Sequence, residues 1–442
     1  MSGARRGATA RFEPTGPLRG TLRPPPDKSV SHRAALIAAM GDGTTTIDGY
    51  LDSADTRSTL AAVEALGAEV EGVTPTTIAP RIGIAGVGMR CPGSAEIDVG
   101  NAGTLLRLLP GWLAGQETGA WTLDGDASIR RRPVDRIVEP LALMGARLSC
   151  RDDRLPPLRI EAAPLHGITY ELPVASAQVK SCLLLAGLLA EGVTRVLEPA
   201  PSRDHSERML AAAGAEITRE EGAVSVRPAA RLEPVEIVVP ADFSSAAFPM
   251  VGALLVPGSD LTIAGVGLNP TRTGLLGILE RMGAELEVET EGERGGEPSG
   301  RIRARPSQLR GTEVGGDDVP LAIDELPLVA LAACFAEGET TIRDAAELRR
   351  KESDRIATVS KALTALGGSV EPTEDGMRIT GTGGLRGGSV DSQGDHRIAM
   401  LGAIAGLASQ RGVEVSGMDA AAVSYPGFES DLASLAGAHR SG

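Results

Sequence analysis

Leu66-Gly67-Ala68-Glu69-Val70 is the stretch whose reading decides the fold. An apolar residue, a glycine and an alanine close a helical pattern, and a β-branched residue then enters a strand. Glycine suits the position just past a helix, where the backbone turns left-handed. The pattern returns as Met144-Gly145-Ala146-Arg147-Leu148, Ala213-Gly214-Ala215-Glu216-Ile217 and Met282-Gly283-Ala284-Glu285-Leu286. Looser copies are Leu366-Gly367-Gly368-Ser369-Val370 and Ala436-Gly437-Ala438. A second marker, glycine followed by a β-branched strand, keeps phase with the first. It occurs at Gly43–Ile47, Gly192–Val196, Gly258–Ile263 and Gly338–Ile342, and more weakly after Gly119 and Gly412. Chance recurrence of Leu-Gly-Ala would not hold two markers in phase. The chain therefore reads as six copies of one unit, spaced roughly 69–84 residues apart.

Ahead of each second marker lies an apolar segment predicted as a helix: 29–40, 102–113, 177–190, 244–255, 325–336 and 396–408. These segments are apolar on most faces, which predicts burial. The helices that end at the glycine-alanine marker, such as 56–66 and 134–144, are amphipathic and belong nearer the surface. One unit is then a buried helix, a strand, a surface helix and a strand, with further strands in the connections. Such alternation predicts an α/β fold with parallel sheet and packed helices. Six units make two lobes of three, with a boundary near Ala230–Asp242. The strand-like piece Leu18–Arg23 lies outside the first unit and could pair with either lobe. Glu289–Gly300, charged and glycine-rich, reads as a surface hairpin or loop, and residues 1–11 as a frayed tail.

The chain has 442 residues, 42% of them hydrophobic and 23% charged, which is the composition of an ordinary globular protein with sizeable cores. A net charge of -14 and only 2% aromatic residues argue against nucleic-acid binding. Cys91, Cys150, Cys182 and Cys334 are far apart and include no C-x-x-C pair, and the five histidines lack ligand spacing, so neither disulfides nor a metal site is suggested. No secretory or membrane-spanning pattern is present, and a reducing cytoplasm is expected.

Chemistry concentrates where the buried helices start. The first start, Asp27-Lys28-Ser29-Val30-Ser31-His32-Arg33, follows three prolines. It sets Ser29 and Arg33 on one helix face, beside backbone N–H groups that suit a phosphate. The second start is Gly100-Asn101-Ala102-Gly103-Thr104, with Arg107 a turn later; the third is Ala175-Ser176-Ala177-Gln178-Val179-Lys180. The others are Asp242-Phe243-Ser244-Ser245, Ile323-Asp324-Glu325 and Gly394-Asp395-His396-Arg397. Each is also a plausible capping sequence. Six polar starts, three per lobe, point to one cleft if the lobes face each other. Ile129-Arg130-Arg131-Arg132-Pro133 and Leu348-Arg349-Arg350-Lys351-Glu352-Ser353-Asp354-Arg355 add charge ahead of two surface helices. A site rich in lysine and arginine, with Asp324 and Glu352 as its few carboxylates, fits a multiply anionic substrate and proton transfer.

Taken together, eight motifs in order resemble the EPSP synthases, the 3-phosphoshikimate 1-carboxyvinyltransferases. They are the Asp27–Arg33, Gly100–Thr104, Gly125–Pro133, Ala175–Ser181, Asn269–Gly274, Ile323–Glu325, Lys351–Arg355 and Asp395–Arg397 segments. The resemblance implies a two-lobed enolpyruvyl transferase fold of six βαβαββ units, an inside-out α/β barrel. Residues 24–240 would form the N-terminal lobe, and 1–23 plus 241–442 a discontinuous C-terminal lobe. It implies transfer of the enolpyruvyl group of phosphoenolpyruvate to the C5 hydroxyl of 3-phosphoshikimate, releasing phosphate, on the route to chorismate and the aromatic amino acids. No metal or organic cofactor is implied, and a cytoplasmic monomer is. By motif match, Glu352 is the acid at the methylene carbon, Asp324 the base at the hydroxyl, and Lys28 a bridge between substrates that shares proton transfer. Lys28, Gly103, Arg132, Gln178, Arg355 and Arg397 would hold phosphoenolpyruvate. Lys28, Ser29, Arg33, Ser176, Gln178, Asp324 and Lys351 would hold 3-phosphoshikimate, with Ser202 and Arg203 as weaker candidates.

Two departures from the best-known members matter. Val423-Ser424-Tyr425-Pro426 stands where many members carry a lysine, and resembles the second, glyphosate-tolerant subgroup. Tolerance in that subgroup goes with alanine at the position of Gly103, so glycine here implies sensitivity, although Leu108 also replaces the proline typical of sensitive members. The related UDP-N-acetylglucosamine enolpyruvyl transferases place a cysteine acid before an Arg-Pro-Val-Asp stretch. Here Arg132-Pro133-Val134-Asp135 is present, but Ala127 occupies the cysteine position. A non-catalytic paralogue that binds phosphorylated metabolites is the remaining alternative; the intact Lys28, Asp324, Glu352 and Arg355 set argues against it.

Overall fold

The computed structural model describes residues 7–72, 79–91 and 93–437. The last residue of the sixth marker, Ala438, and residues 1–6 of the expected tail lie outside them. Two compact units are present: Pro26–Pro240 with Glu293–Pro298, and the remainder of the described chain. Each unit has its own hydrophobic core. Among the described residues no helix is long and apolar enough to cross a membrane.

The second repeat shows the unit most plainly. Ala95–Asp98 lies parallel to Ala120–Asp124, and the buried helix Gly103–Ala114 joins them. The helix Asp135–Leu143 then carries the chain to Arg147–Arg151 at the far edge, and Leu155–Glu161 returns between the two, antiparallel to both. That is a βαβαββ unit. The third repeat, built on Thr169–Glu171, Thr194–Leu197, Ala223–Val226 and Ile217–Glu220, and the fifth, on Glu313–Val314, Glu339–Ile342, Met377–Thr380 and Ser369–Pro372, have the same strand order.

The first and fourth sheets exchange their edge strands. Arg19–Leu22 precedes the first core helix but runs parallel to Asp260–Gly267 in the fourth sheet, with Leu22 opposite Ile263. Ile237–Val238 precedes the fourth core helix but runs parallel to Thr44–Asp48 in the first, with Ile237 opposite Ile47. Apart from the hairpin segment Glu293–Pro298, the chain passes between units at Pro25–Pro26 and at Pro240–Ala241. Both passages are pinned by backbone bonds: the Asp27 N–H donates to the Pro240 carbonyl, and the Asp242 N–H to that of Pro25, each at 2.8 Å. Proline lacks an N–H and has a fixed φ, so it suits a point where the chain leaves a sheet.

Among the described residues the sixth sheet has three strands, and one of them corrects the expectation for the N-terminus. Thr9–Phe12 lies antiparallel to Val413–Ser416, which is parallel to Gly388–Asp391. Residues 9–11 are therefore strand, not frayed tail. Their period-two pattern explains it: Ala10 and Phe12 pack on the core while Thr9 and Arg11 face out.

The six core helices are Lys28–Ala39, Gly103–Ala114, Ala177–Gly187, Phe243–Leu255, Leu326–Phe335 and His396–Ala408. Their ends fall within three residues of the expected ones, and the short helix Asp318–Ala322 ahead of the fifth was not anticipated. In the fourth, every residue from Phe243 to Leu254 is buried. The fourth, fifth and sixth pack on one another, as do the second and third. The glycine reading holds at five of six places: φ is +95° at Gly67, +98° at Gly145, +88° at Gly214, +89° at Gly283 and +98° at Gly367. Gly437 instead is the last residue of the helix Phe428–Gly437. At Gly214 an added Cβ would meet only the Glu233 side chain, at 3.6 Å. Gly214→Ala is thus expected to cost about 1–2 kcal/mol from backbone strain alone, read as a lower urea midpoint with an unchanged slope.

The charged segment at 289–300 is a hairpin, Leu286–Arg294 with Glu297–Ala304, and most of its first strand is exposed. Its turn is not a surface feature throughout. Glu297 is 2% exposed and accepts from His205 Nδ1 at 2.8 Å. Burying a carboxylate requires such a partner.

Candidate active site: two clusters at the core-helix starts

In the unit Pro26–Pro240 the first core helix is capped by Asp27, whose carboxylate accepts the Val30 N–H at 2.9 Å. Lys28 is partly exposed and pairs with Asp55 Oδ2 at 3.1 Å. Behind it, His32 is fully buried with Nδ1 2.6 Å from Thr59 Oγ1. Burial, then the Lys28 charge, pushes its pKa down to about 3, so it is neutral. Ser29 is half-buried. Arg33 is 4% exposed and donates to Ser206 Oγ (2.8 Å), Ser181 Oγ (3.0 Å) and the Ser29 carbonyl (3.0 Å).

The second core helix has no side-chain cap. A Cβ on Gly103 would stand 2.7 Å from Arg132 Nη1 and 3.2 Å from Arg107 Nη1. Arg132 donates to Asn101 Oδ1 at 2.6 Å, and Asn101 to Asp126 at 2.7 Å. Arg107 donates to Gln178 Oε1 at 3.1 Å, and Gln178 to Thr104 Oγ1 at 3.3 Å. Burial, with Arg136 and Arg132 nearby, lowers Arg107 to about 10, which leaves it charged at neutral pH. Ser176 caps the third core helix through the Val179 N–H at 3.4 Å. The structure thus joins Gly103 and Gln178 through Arg107, and sets Arg132 on the same Gly103. That arginine was visible one turn after Gly103 but was not among the sequence-chosen site residues.

The other unit holds a denser cluster. Arg355 is 1% exposed. Its Nε donates to Asp395 Oδ2 (2.9 Å), its Nη2 to Glu352 Oε2 (2.5 Å), and its Nη1 to Asp324 Oδ1 (3.4 Å). Lys351 Nζ lies 3.7 Å from Asp324 Oδ1. Arg397 donates to the Asp324 carbonyl at 2.9 Å and to Ser244 Oγ at 3.0 Å, and its Nη2 is 3.7 Å from Asp324 Oδ2. Glu325, fully buried, accepts from Ser244, Arg272 and Arg397. The sequence reading of few carboxylates needs correction, because Asp242, Glu325 and Asp395 join Asp324 and Glu352. Asp242 and Asp395 also cap their helices, through the Ser244 and Arg397 N–H groups. Their side chains therefore serve both capping and the cluster.

Charge tuning follows this packing. Burial pushes Glu352 up, but Arg355, its own backbone N–H and His396 outweigh it and hold the carboxyl below the usual range. Asp395 is likewise pushed up by burial and held lower by Arg355 and the Arg397 N–H. Burial, then Arg397, drives His396 down to about 4.

Six βαβαββ-type repeats in two lobes, with helices innermost, define the enolpyruvyl transferase architecture. Residues 12–432 match the family described as EPSP synthase (3-phosphoshikimate 1-carboxyvinyltransferase), and the chain belongs to that family. It is 51% identical to the 3-phosphoshikimate 1-carboxyvinyltransferase of Halorhodospira halophila, over 96% of this chain and 95% of that protein. It is 49% identical to that of Methylococcus capsulatus, over 94% of each. The solved EPSP synthase of Acinetobacter baumannii is similar at TM-score 0.89 and 43% identity, over 97% of this chain and 98% of that one.

Proposed function

We propose that this chain transfers the enolpyruvyl group of phosphoenolpyruvate to the C5 hydroxyl of 3-phosphoshikimate, forming 5-enolpyruvylshikimate 3-phosphate and phosphate. The observation that carries this reading is the gathering of Lys351, Arg355 and Arg397 around Asp324, with Glu352 on the buried Arg355 guanidinium, in a chain matched to the family over residues 12–432. The functional lobes in this reading are 24–240 and 1–23 with 241–442, working as a cytoplasmic monomer.

Glu352 protonates the methylene carbon of phosphoenolpyruvate as the C5 oxygen bonds to its neighbour, and Asp324 takes the hydroxyl proton. The tetrahedral adduct then loses a methyl proton and phosphate, leaving the enol ether. Lys28, Gly103, Arg132, Gln178, Arg355 and Arg397 hold phosphoenolpyruvate. Lys28, Ser29, Arg33, Ser176, Gln178, Asp324 and Lys351 hold 3-phosphoshikimate, with Ser202 and Arg203 as weaker candidates. Arg33 enters that group already bonded to Ser181, Ser206 and the Ser29 carbonyl. An anion arriving at Arg355 competes with Glu352 for the guanidinium and adds negative charge. Both effects raise the Glu352 pKa, so substrate binding itself would arm the acid.

Phosphate release with both substrates tests the reading, and its absence with 3-phosphoshikimate would overturn it. A second expectation concerns Gly103. An added methyl presses on the flexible ends of Arg132 and Arg107 and should leave folding intact. Gly103→Ala is expected to raise KM for phosphoenolpyruvate about tenfold, near 1.4 kcal/mol, in steady-state assays. The wild type, with glycine there, should be glyphosate-sensitive; full activity at millimolar inhibitor would refute that.

A further inference from the structure

One ammonium group ties together three successive elements of the third repeat. Lys180, in the first turn of the helix Ala177–Gly187, is 1% exposed. Its Nζ lies 2.8 Å from Glu198 Oε2 and 2.7 Å from Glu207 Oε1, and it donates to the Ser202 carbonyl at 3.4 Å. Glu198 directly follows the strand Thr194–Leu197, and Glu207 lies in the first turn of the helix His205–Ala212. The segment 199–204 runs between those two carboxylates. Its Ser202 hydroxyl donates to the second Glu198 oxygen at 2.5 Å. A single buried cation therefore holds both ends and the middle of the segment that carries Ser202 and Arg203.

Such a group is poorly explained by stability. A buried ion pair rarely outperforms an apolar side chain of similar size, and the helix goes on from here as the apolar run Cys182-Leu183-Leu184-Leu185-Ala186. Burial also pushes Glu207 up, against the pull of Lys180. What the charges do provide is direction: three acceptors around one ammonium fix where the chain runs in a way that apolar contact does not. The neighbouring Arg33 works alongside, bonded to Ser181 and Ser206, which adjoin Lys180 and Glu207 in sequence.

We propose that Lys180 and Glu198 are positioning residues that hold Ser202 and Arg203 preformed for 3-phosphoshikimate. This inference rests on the reaction proposed above. Glu198→Gln keeps the shape but removes the charge that engages Lys180 and weakens the hold on Ser202. It is expected to raise KM for 3-phosphoshikimate about tenfold, with kcat and KM for phosphoenolpyruvate within about twofold, the signature of lost uniform binding. Ser202→Ala, which leaves the Lys180 pairs intact, should raise the same KM about threefold and guards against a Glu198 variant that does not fold. A general structural role would instead lower kcat or raise both KM values together. Folded variants with unchanged KM for 3-phosphoshikimate, or with both KM values raised alike, would overturn the inference while wild-type turnover stands. A wild type that does not turn over the two substrates would overturn the proposed reaction, and this inference with it.

Discussion

Glu352→Gln should lower turnover about 10²–10⁴-fold, the usual share of a positioned general acid. KM for both substrates should stay within about threefold, because the substitution removes a proton donor and little binding surface. The fold should survive it. The Glu352 side chain is 53% exposed, and glutamine can still accept from Arg355 at the position now 2.5 Å away. Pre-steady-state phosphate release separates chemistry from product departure, and the loss should appear in the chemical step. Turnover within a few-fold of wild type would remove Glu352 as the acid and move attention to Lys28.

Arg355→Met should affect both stability and activity. It leaves Asp395, fully buried, and Asp324, largely buried, without the guanidinium that faces them now. Removing one partner of a buried ion pair costs about 3–5 kcal/mol. The pH dependence identifies the cause. In the wild type Asp395 is held below its ordinary value. Its contribution is therefore present above the unfolded carboxylate pKa, about 3.9, and is lost as pH falls through the lower folded value. In the variant, burial dominates and raises Asp395. That group then favours folding more as pH falls from 7. The stability gap should be widest near neutral pH and should close toward about pH 4. Chemical denaturation across that range checks it, and a gap constant with pH would show that the loss is one of packing. The variant should also fail to bind phosphoenolpyruvate at concentrations that saturate the wild type.

The repeat was legible because glycine reports backbone conformation directly: a left-handed φ past a helix leaves few alternatives, and Gly67, Gly145, Gly214, Gly283 and Gly367 all adopt it. The core helices were legible because they are apolar on nearly every face. Strand partners were not. Nothing local distinguishes Arg19–Leu22 from Ile237–Val238, since a short strand's pairing is settled by which edge lies open to it. Thr9–Phe12 was missed for the same reason, as only four residues of alternation carry it. In the site, residue types were readable but their commitments were not. Arg33 was readable as a candidate anion ligand, but its bonds to Ser181 and Ser206, far away in sequence, were not. Asp395 and Asp242 looked like caps, and they are caps, but each also faces an arginine.

The strand at Thr9–Phe12 also bears on the order of assembly. Its partner, Val413–Ser416, is made about 400 residues later. At about 5–20 residues per second, roughly 20–80 s separate them during synthesis. The stretch Pro26–Pro240 can acquire its own core in that interval, whereas Thr9–Phe12 and Arg19–Leu22 wait beside it as unpaired edges. Pairings this remote in sequence slow folding, and waiting edges invite association with other chains. Alternating charge softens the hazard: Arg11 and Arg19 keep the outward faces of both segments wet until their sheets arrive.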